Sequence, residues 1–140
     1  MNTRTFALVW GIIFLMAAAG GLIPGLLHAP GPGHPDLAVD TMYGDALGLF
    51  PVNILHTGVH LLFGIWGITA YRNWDSAKTY AKAVAIIYAV FVVMGLVPGL
   101  DTTFGMVPLF GNDVWLHLLL AAPAAYFGFI HRDTARESRR

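Results

Sequence analysis

Four long apolar runs, parted by short polar segments, constrain this chain more than any other feature. They cover Phe6–Leu27, Pro51–Tyr71, Ala83–Leu100 and Val114–Ile130, and none holds a Lys, Arg, Asp or Glu. Crossing the hydrocarbon core takes about 17–25 helical residues, so each run is long enough to span. Each has to do so as helix, because a lone strand leaves its backbone N–H and C=O groups unpaired in lipid. Composition agrees. The chain is 56% hydrophobic and 11% charged, where a soluble domain is roughly a quarter charged. The expected fold is an all-α integral membrane four-helix bundle, one transmembrane domain over residues 1–140. The first run is too long for a signal-peptide core and only Arg4 precedes it, so it is expected to remain as a span.

The charges give an orientation. All eight basic residues, Arg4, Arg72, Lys78, Lys82, Arg132, Arg136, Arg139 and Arg140, lie in the N-terminal segment, the second loop or the C-terminal segment. The first and third loops hold none. Lys and Arg collect on the cytoplasmic side, so both termini are expected there. The first and third loops, with Asp36, Asp40, Asp45 and Asp101, then face outward. His28–Pro35 is too rich in Pro and Gly for regular helix. Asp36–Phe50 is expected to form a short helix on the outer surface.

The runs repeat in pairs. Gly21-Leu22-Ile23-Pro24-Gly25-Leu26 closes the first, and Gly95-Leu96-Val97-Pro98-Gly99-Leu100 closes the third. Pro ends or kinks a helix and Gly permits the turn after it. Two alignments of the second and fourth runs stand open. Matching His60-Leu61-Leu62 to His117-Leu118-Leu119 sets His56 against Asp113. Counting from Leu49-Phe50 and Leu109-Phe110 sets His56 near His117. Either way the halves run in one direction, as parallel repeats do. Plain duplication of a packing unit would leave the same trace.

The second run carries Asn53, His56 and His60 on one helical face, which continues as Gly64, Gly67 and Tyr71. Small residues let helices approach closely, so this face should look into the bundle. The fourth run offers Asp113 and His117, then Ala121, Ala124 and Gly128. Ionisable groups in a membrane are costly and tend to face the interior and to carry function. Three imidazoles and a carboxylate are therefore expected to converge near the outer face.

Several uses of these groups are open. Asn53, and Asn112 or Asp113, have the position and chemistry of helix N-caps. The histidines could be neutral partners in hydrogen bonds between helices. His56, His60, His117 and Asp113 could hold a transition metal: zinc, iron or copper. His60 and His117 could instead ligate haem b across the bundle. His28, His34 and His131 read as surface residues.

Other chemistry finds little support. There is no cysteine and no net charge, which removes thiolate chemistry and any basic footprint for nucleic acid. Ser76 and Ser138, the only serines, lie far along the chain from the histidines. Three functions remain. One is a metal- or haem-binding protein with a redox or accessory role. Another is a cofactor-free structural subunit of a larger membrane complex. The third is an enzyme acting on a lipid or quinone, which a substrate-sized cavity beside His60 would favour. Expected partners are membrane lipids and a second copy or larger complex.

Pro24-Gly25-Leu26, Leu55-His56 with Val59-His60-Leu61-Leu62-Phe63-Gly64, and Asn112-Asp113-Val114-Trp115-Leu116-His117-Leu118 resemble a family of small bacterial four-helix membrane proteins catalogued as a domain of unknown function. The resemblance covers nearly all of the chain except its two tails. It implies the same fold and a place in the bacterial inner (plasma) membrane, and it implies no activity. The family pattern has Asn after the first His of the second span, where this chain has Thr57. It often has Ala-Asp-Asn before Trp-Leu-His, where this chain has Gly111-Asn112-Asp113-Val114, which changes the polar group at the helix start.

Overall fold

The computed structural model describes residues 1–133. Arg136, Ser138, Arg139 and Arg140 lie outside the described residues.

Asparagine starts three of the four helices. Asn2, Asn53 and Asn73 each accept a hydrogen bond from a backbone N–H three residues on, opening α1 (Thr3–Leu22), α2 (Ile54–Ala70) and α3 (Trp74–Leu96). Such a cap satisfies one of the orphan donors at a helix start. α4 (Asn112–Ala125) begins after Gly111, whose φ of 66° lies in the region that favours glycine. A π-helical turn over Tyr126–Ile130 extends it.

The helix ends differ from the apolar runs in instructive ways. α1 stops at Leu22, because Pro24 opens a single 3-10 turn. α3 begins at Trp74, well before the apolar stretch at Ala83, because Asn73 caps it and Lys78 finds partners. The Lys78 ammonium donates to the carbonyls of Phe127 and His131, each at 2.8 Å. Hydropathy locates the apolar middle of a helix, whereas capping chemistry locates its start.

Asp36–Phe50 is not the helix expected of it. The segment turns and pairs instead. Leu27–His28 (β1), Gly44–Ala46 (β2) and Phe50–Val52 (β3) form a small antiparallel sheet in the order β1-β2-β3. Gly44 lies against the His28 carbonyl, where any Cβ would collide, and Leu47 and Gly48 take positive φ between β2 and β3. Those conformations belong to turns, not helices.

α1 packs chiefly on α2, and α3 on α4. Gly11 makes the first pairing close: a Cβ there would come within 2.9 Å of the Gly64 carbonyl oxygen and 2.8 Å of the Ile68 nitrogen. This is small-residue packing of the kind membrane helices use. The two pairs repeat one another residue by residue. Aligning Gly21 with Gly95 sets Phe6, Ala7 and Phe14 against Tyr80, Ala81 and Tyr88, all fully buried. Aligning His60 with His117 sets His56, Thr57, Phe63, Gly64, Gly67 and Ala70 against Asp113, Val114, Leu120, Ala121, Ala124 and Phe127, and every one is buried. Burial therefore selects the alignment in which His56 matches Asp113.

The outward surface is apolar. Met16, Leu62, Ile65, Val93, Leu119 and Ile130 are all more than half exposed, which suits lipid and not water. α1, α3 and α4 with its extension are each long and apolar enough to cross a membrane; α2, at 17 residues, is shorter. The chain is a four-helix membrane bundle.

One end of the bundle gathers the N-terminus, the last described residues and the α2–α3 turn. There the Asp133 carboxylate accepts from the Thr3 N–H at 3.0 Å and from the Trp74 indole, and meets His131 Nε2 at 2.9 Å. Burial alone would raise its pKa, but these bonds to Thr3, Trp74 and His131 outweigh burial and hold it below the ordinary 3.8. A lowered folded-state pKa contributes stability above 3.8, and that stability is lost as pH falls through the folded value. Asp133→Asn should cost roughly 1–3 kcal/mol at neutral pH, the scale of hydrogen bonds to a charged group. The gap to wild type should close below pH 3.8. Unfolding followed by tryptophan fluorescence across that range checks this; a gap that does not change with pH would refute it.

Candidate metal centre

Asn53 fixes where the site begins. Its side-chain oxygen accepts from the His56 N–H at 3.0 Å. Its amide donates to the Val39 carbonyl at 2.8 Å and to the Met106 carbonyl at 2.6 Å. One residue thus caps α2 and ties the α1–α2 loop to the α3–α4 loop. Those loops also join directly, through the Ala38 N–H and the Gly105 carbonyl at 2.8 Å. Together they close over the end of the bundle opposite the termini.

Beneath this cover, His56 and His60 project from successive turns of α2, and Asp113 and His117 from successive turns of α4. All four are at most 2% exposed. One ring nitrogen from each histidine can be chosen so that the three lie within 4.8 Å of one another. Asp113 Oδ2 is 3.4 Å from His117 Nε2 and 3.8 Å from His56 Nε2. Four donors about a tetrahedral ion at 2.0–2.1 Å stand roughly 3.4 Å apart. The Asp113–His117 spacing meets that figure and the Asp113–His56 spacing comes near it, while the imidazole nitrogens, within 4.8 Å of one another, would draw together around an ion.

The cluster is unsatisfied. Neither ring nitrogen of His60 or His117, nor either oxygen of Asp113, has a hydrogen-bond partner among the described residues; nor does Nδ1 of His56. Buried polar groups are overwhelmingly paired in native proteins, and each orphan costs on the order of 1–3 kcal/mol. Asp113 does not cap α4: it sits in the first turn with its carboxylate turned to the imidazoles, and Gly111 holds the cap position. Asn112 donates instead to the Leu49 carbonyl at 3.2 Å.

Aromatic rings wall the site. The Tyr88 ring lies 5.0 Å from that of His117, Phe91 lies 5.6 Å from it, and Phe14 lies 5.8 Å from the His60 ring. Phe14 and Tyr88 touch each other, with centroids 5.1 Å apart. Sequence reading passed over this pair. The signal was present in the repeat, since matching Gly21–Leu26 to Gly95–Leu100 sets Phe14 against Tyr88, but that register does not say that both rings face the histidines. Thr57, where the family pattern has Asn, packs on Gly21 and stays out of the cluster.

The remaining histidines are elsewhere. His28 is exposed on β1. His34 stacks edge-on to Phe110 and faces Asp45 at 3.7 Å, and His131 meets Asp133.

The family described as Domain of unknown function (DUF4383) matches residues 4–130. The chain belongs to this family. No curated protein and no solved structure matches it. The match takes in all four helices and every member of the His/Asp cluster, so the site lies within the family's shared region. The chemistry of the cluster has to be argued from its own geometry.

An unpaired carboxylate makes one direct prediction. With chelator present, Asp113→Leu replaces a buried carboxyl group that has no hydrogen-bond partner among the described residues by an apolar side chain of similar shape. The variant should melt higher than wild type by the equivalent of about 1–3 kcal/mol. A thermal melt in detergent at neutral pH checks this, and an equal or lower melting temperature would show that the carboxylate has a partner.

Proposed function

We propose that this protein is a membrane metal-binding protein that holds one divalent transition-metal ion through His56, His60, His117 and Asp113. The observation that carries the reading is the convergence of four buried side chains, of which His60, His117 and Asp113 have no side-chain hydrogen-bond partner among the described residues and His56 leaves Nδ1 without one. A single ion would take one lone pair from each of the four. Three imidazole nitrogens and one carboxylate oxygen are a donor set that suits zinc, and the donors also suit iron or copper. Coordination would give the buried carboxyl group and imidazoles the partner they lack, and that binding energy would stabilise the fold.

Haem fits the geometry less well. The His60 and His117 rings are 6.5 Å apart, but the His56 ring lies 4.6 Å from one and 5.6 Å from the other. His56 thus occupies the plane that a macrocycle between the other two would need. A purely structural subunit would leave the orphaned donors without a purpose.

The positive-inside pattern supports termini in the cytoplasm and the site near the outer face of a bacterial plasma membrane. The described basic residues agree in place: Arg4 bonds the Tyr71 carbonyl and Lys78 the end of α4, both at the end away from the histidines.

Protein purified in mild detergent without chelator should carry close to one equivalent of metal. His117→Ala and His60→Ala should each lower the affinity at least tenfold while still inserting in the membrane. Elemental analysis with a competition titration measures this; full metal content in both variants would remove the assignment. Orientation has its own check. The chain has no native cysteine. A membrane-impermeant maleimide applied to intact cells should label Phe104→Cys, in the exposed α3–α4 loop, and spare Asp75→Cys. The opposite labelling would invert the topology.

A further inference from the structure

α1 and α4 meet near the termini, where Phe6 stacks on Phe127 at 4.7 Å and the Trp10 indole donates to the Leu120 carbonyl at 3.1 Å. Toward the other end, a cavity of about 380 Å³ lies between them under the small sheet. Its walls are α1 around Met16 and Gly20, the turn residue Leu47 and the sheet residue Phe50, and its polar wall is His60 and Asp113. Met16 and Leu47 are 70% and 56% exposed, so the mouth opens on the apolar, lipid-facing surface.

We propose that this cavity takes a neutral amphiphile from the bilayer: an apolar body that carries a hydroxyl, seated with the hydroxyl at His60 and Asp113. The volume falls in the range of small-molecule sites. The lining is apolar except for those two residues, and both are unpartnered and at least 98% buried, aimed at the same space. Such a site selects by what its polar groups need. Asp113 accepts, and a hydroxyl is the smallest neutral group that donates to it while also accepting from an imidazole N–H. The lining has no Lys, Arg, Ser or Thr to receive an anionic head. A hydrocarbon would leave both groups unpaired. The inference rests on the metal reading in one respect: a carboxylate that gives the ion one oxygen keeps the other for the hydroxyl. Two sources share this chemistry, a quinol and a hydroxyl-bearing lipid.

The test uses the full chain in nanodiscs, both zinc-loaded and chelated, titrated by calorimetry with decylbenzoquinol, 1-decanol, decanoate and decane. The control is Ala17→Phe, which fills the cavity from α1 and replaces none of the four proposed ligands. Gly20→Val is a second filling variant, since a Cβ there meets only Ala46. The expected result is saturable binding of a hydroxyl compound at one per chain, at least tenfold tighter than decanoate or decane. Either filling variant should abolish it and keep its metal. A tenfold preference for the quinol over decanol names a quinol as the source; parity names a hydroxylated lipid. Decanoate or decane binding as tightly, or filled variants binding like wild type, would overturn the proposal. A zinc-loaded protein that binds none of the four defeats this inference and leaves the metal reading standing. Hydroxyl binding in a protein that never takes up metal does the reverse.

Discussion

A carboxylate and three imidazoles, enclosed among apolar helices with no partner of their own, set the terms for this structure. Neither lipid nor an apolar core can solvate them, and a buried polar group left unpaired costs free energy that packing has to offset. The rest of the bundle holds the four groups close enough to share one ligand. Asn53 fixes the start of α2 and pulls two loops over it. Phe14, Tyr88 and Phe91 close the sides. Glycines at the α1–α2 crossing bring the backbones of those two helices into contact.

The internal repeat explains why the donors come from two helices in matching positions. The halves bury the same register of residues, so His60 and His117 occupy equivalent places, and so do His56 and Asp113. Exchange of an imidazole for a carboxylate at one of those places turns a pseudo-symmetric cluster of histidines into a mixed donor set. That change matters chemically. It supplies the one carboxyl group in the cluster, and it places that group at the wall of the cavity between α1 and α4. The equivalent exchange of Phe14 for Tyr88 puts a hydroxyl, also without a partner, beside His117.

Much of the fold could be read along the chain. The four helices follow from four uncharged apolar runs, since lipid permits no other single-segment structure. The His/Asp cluster was legible because helical period places His56 and His60 on one face, and Asp113 and His117 on another. The loops were not legible. Asp36–Phe50 has a composition compatible with a surface helix. Its pairing with Leu27–His28 depends on a strand that local sequence does not announce, and on Gly44 meeting the His28 carbonyl. The start of α3 was also hidden, because Lys78 is satisfied by the far end of α4, a contact across 49 residues of chain.

By itself, the sequence determined that this protein is a membrane bundle of paired helices, and it named the four residues that form the candidate site. Hydropathy and helical period are local properties, and both are written into every turn of the chain. Only the tertiary structure decided that Asp113 turns to the histidines instead of capping its helix. It alone chose between two alignments of the halves, and it alone opened a cavity onto His60. Each of those outcomes depends on which helix lies against which, and that is fixed by side chains meeting across the bundle, not by the order in which they follow one another.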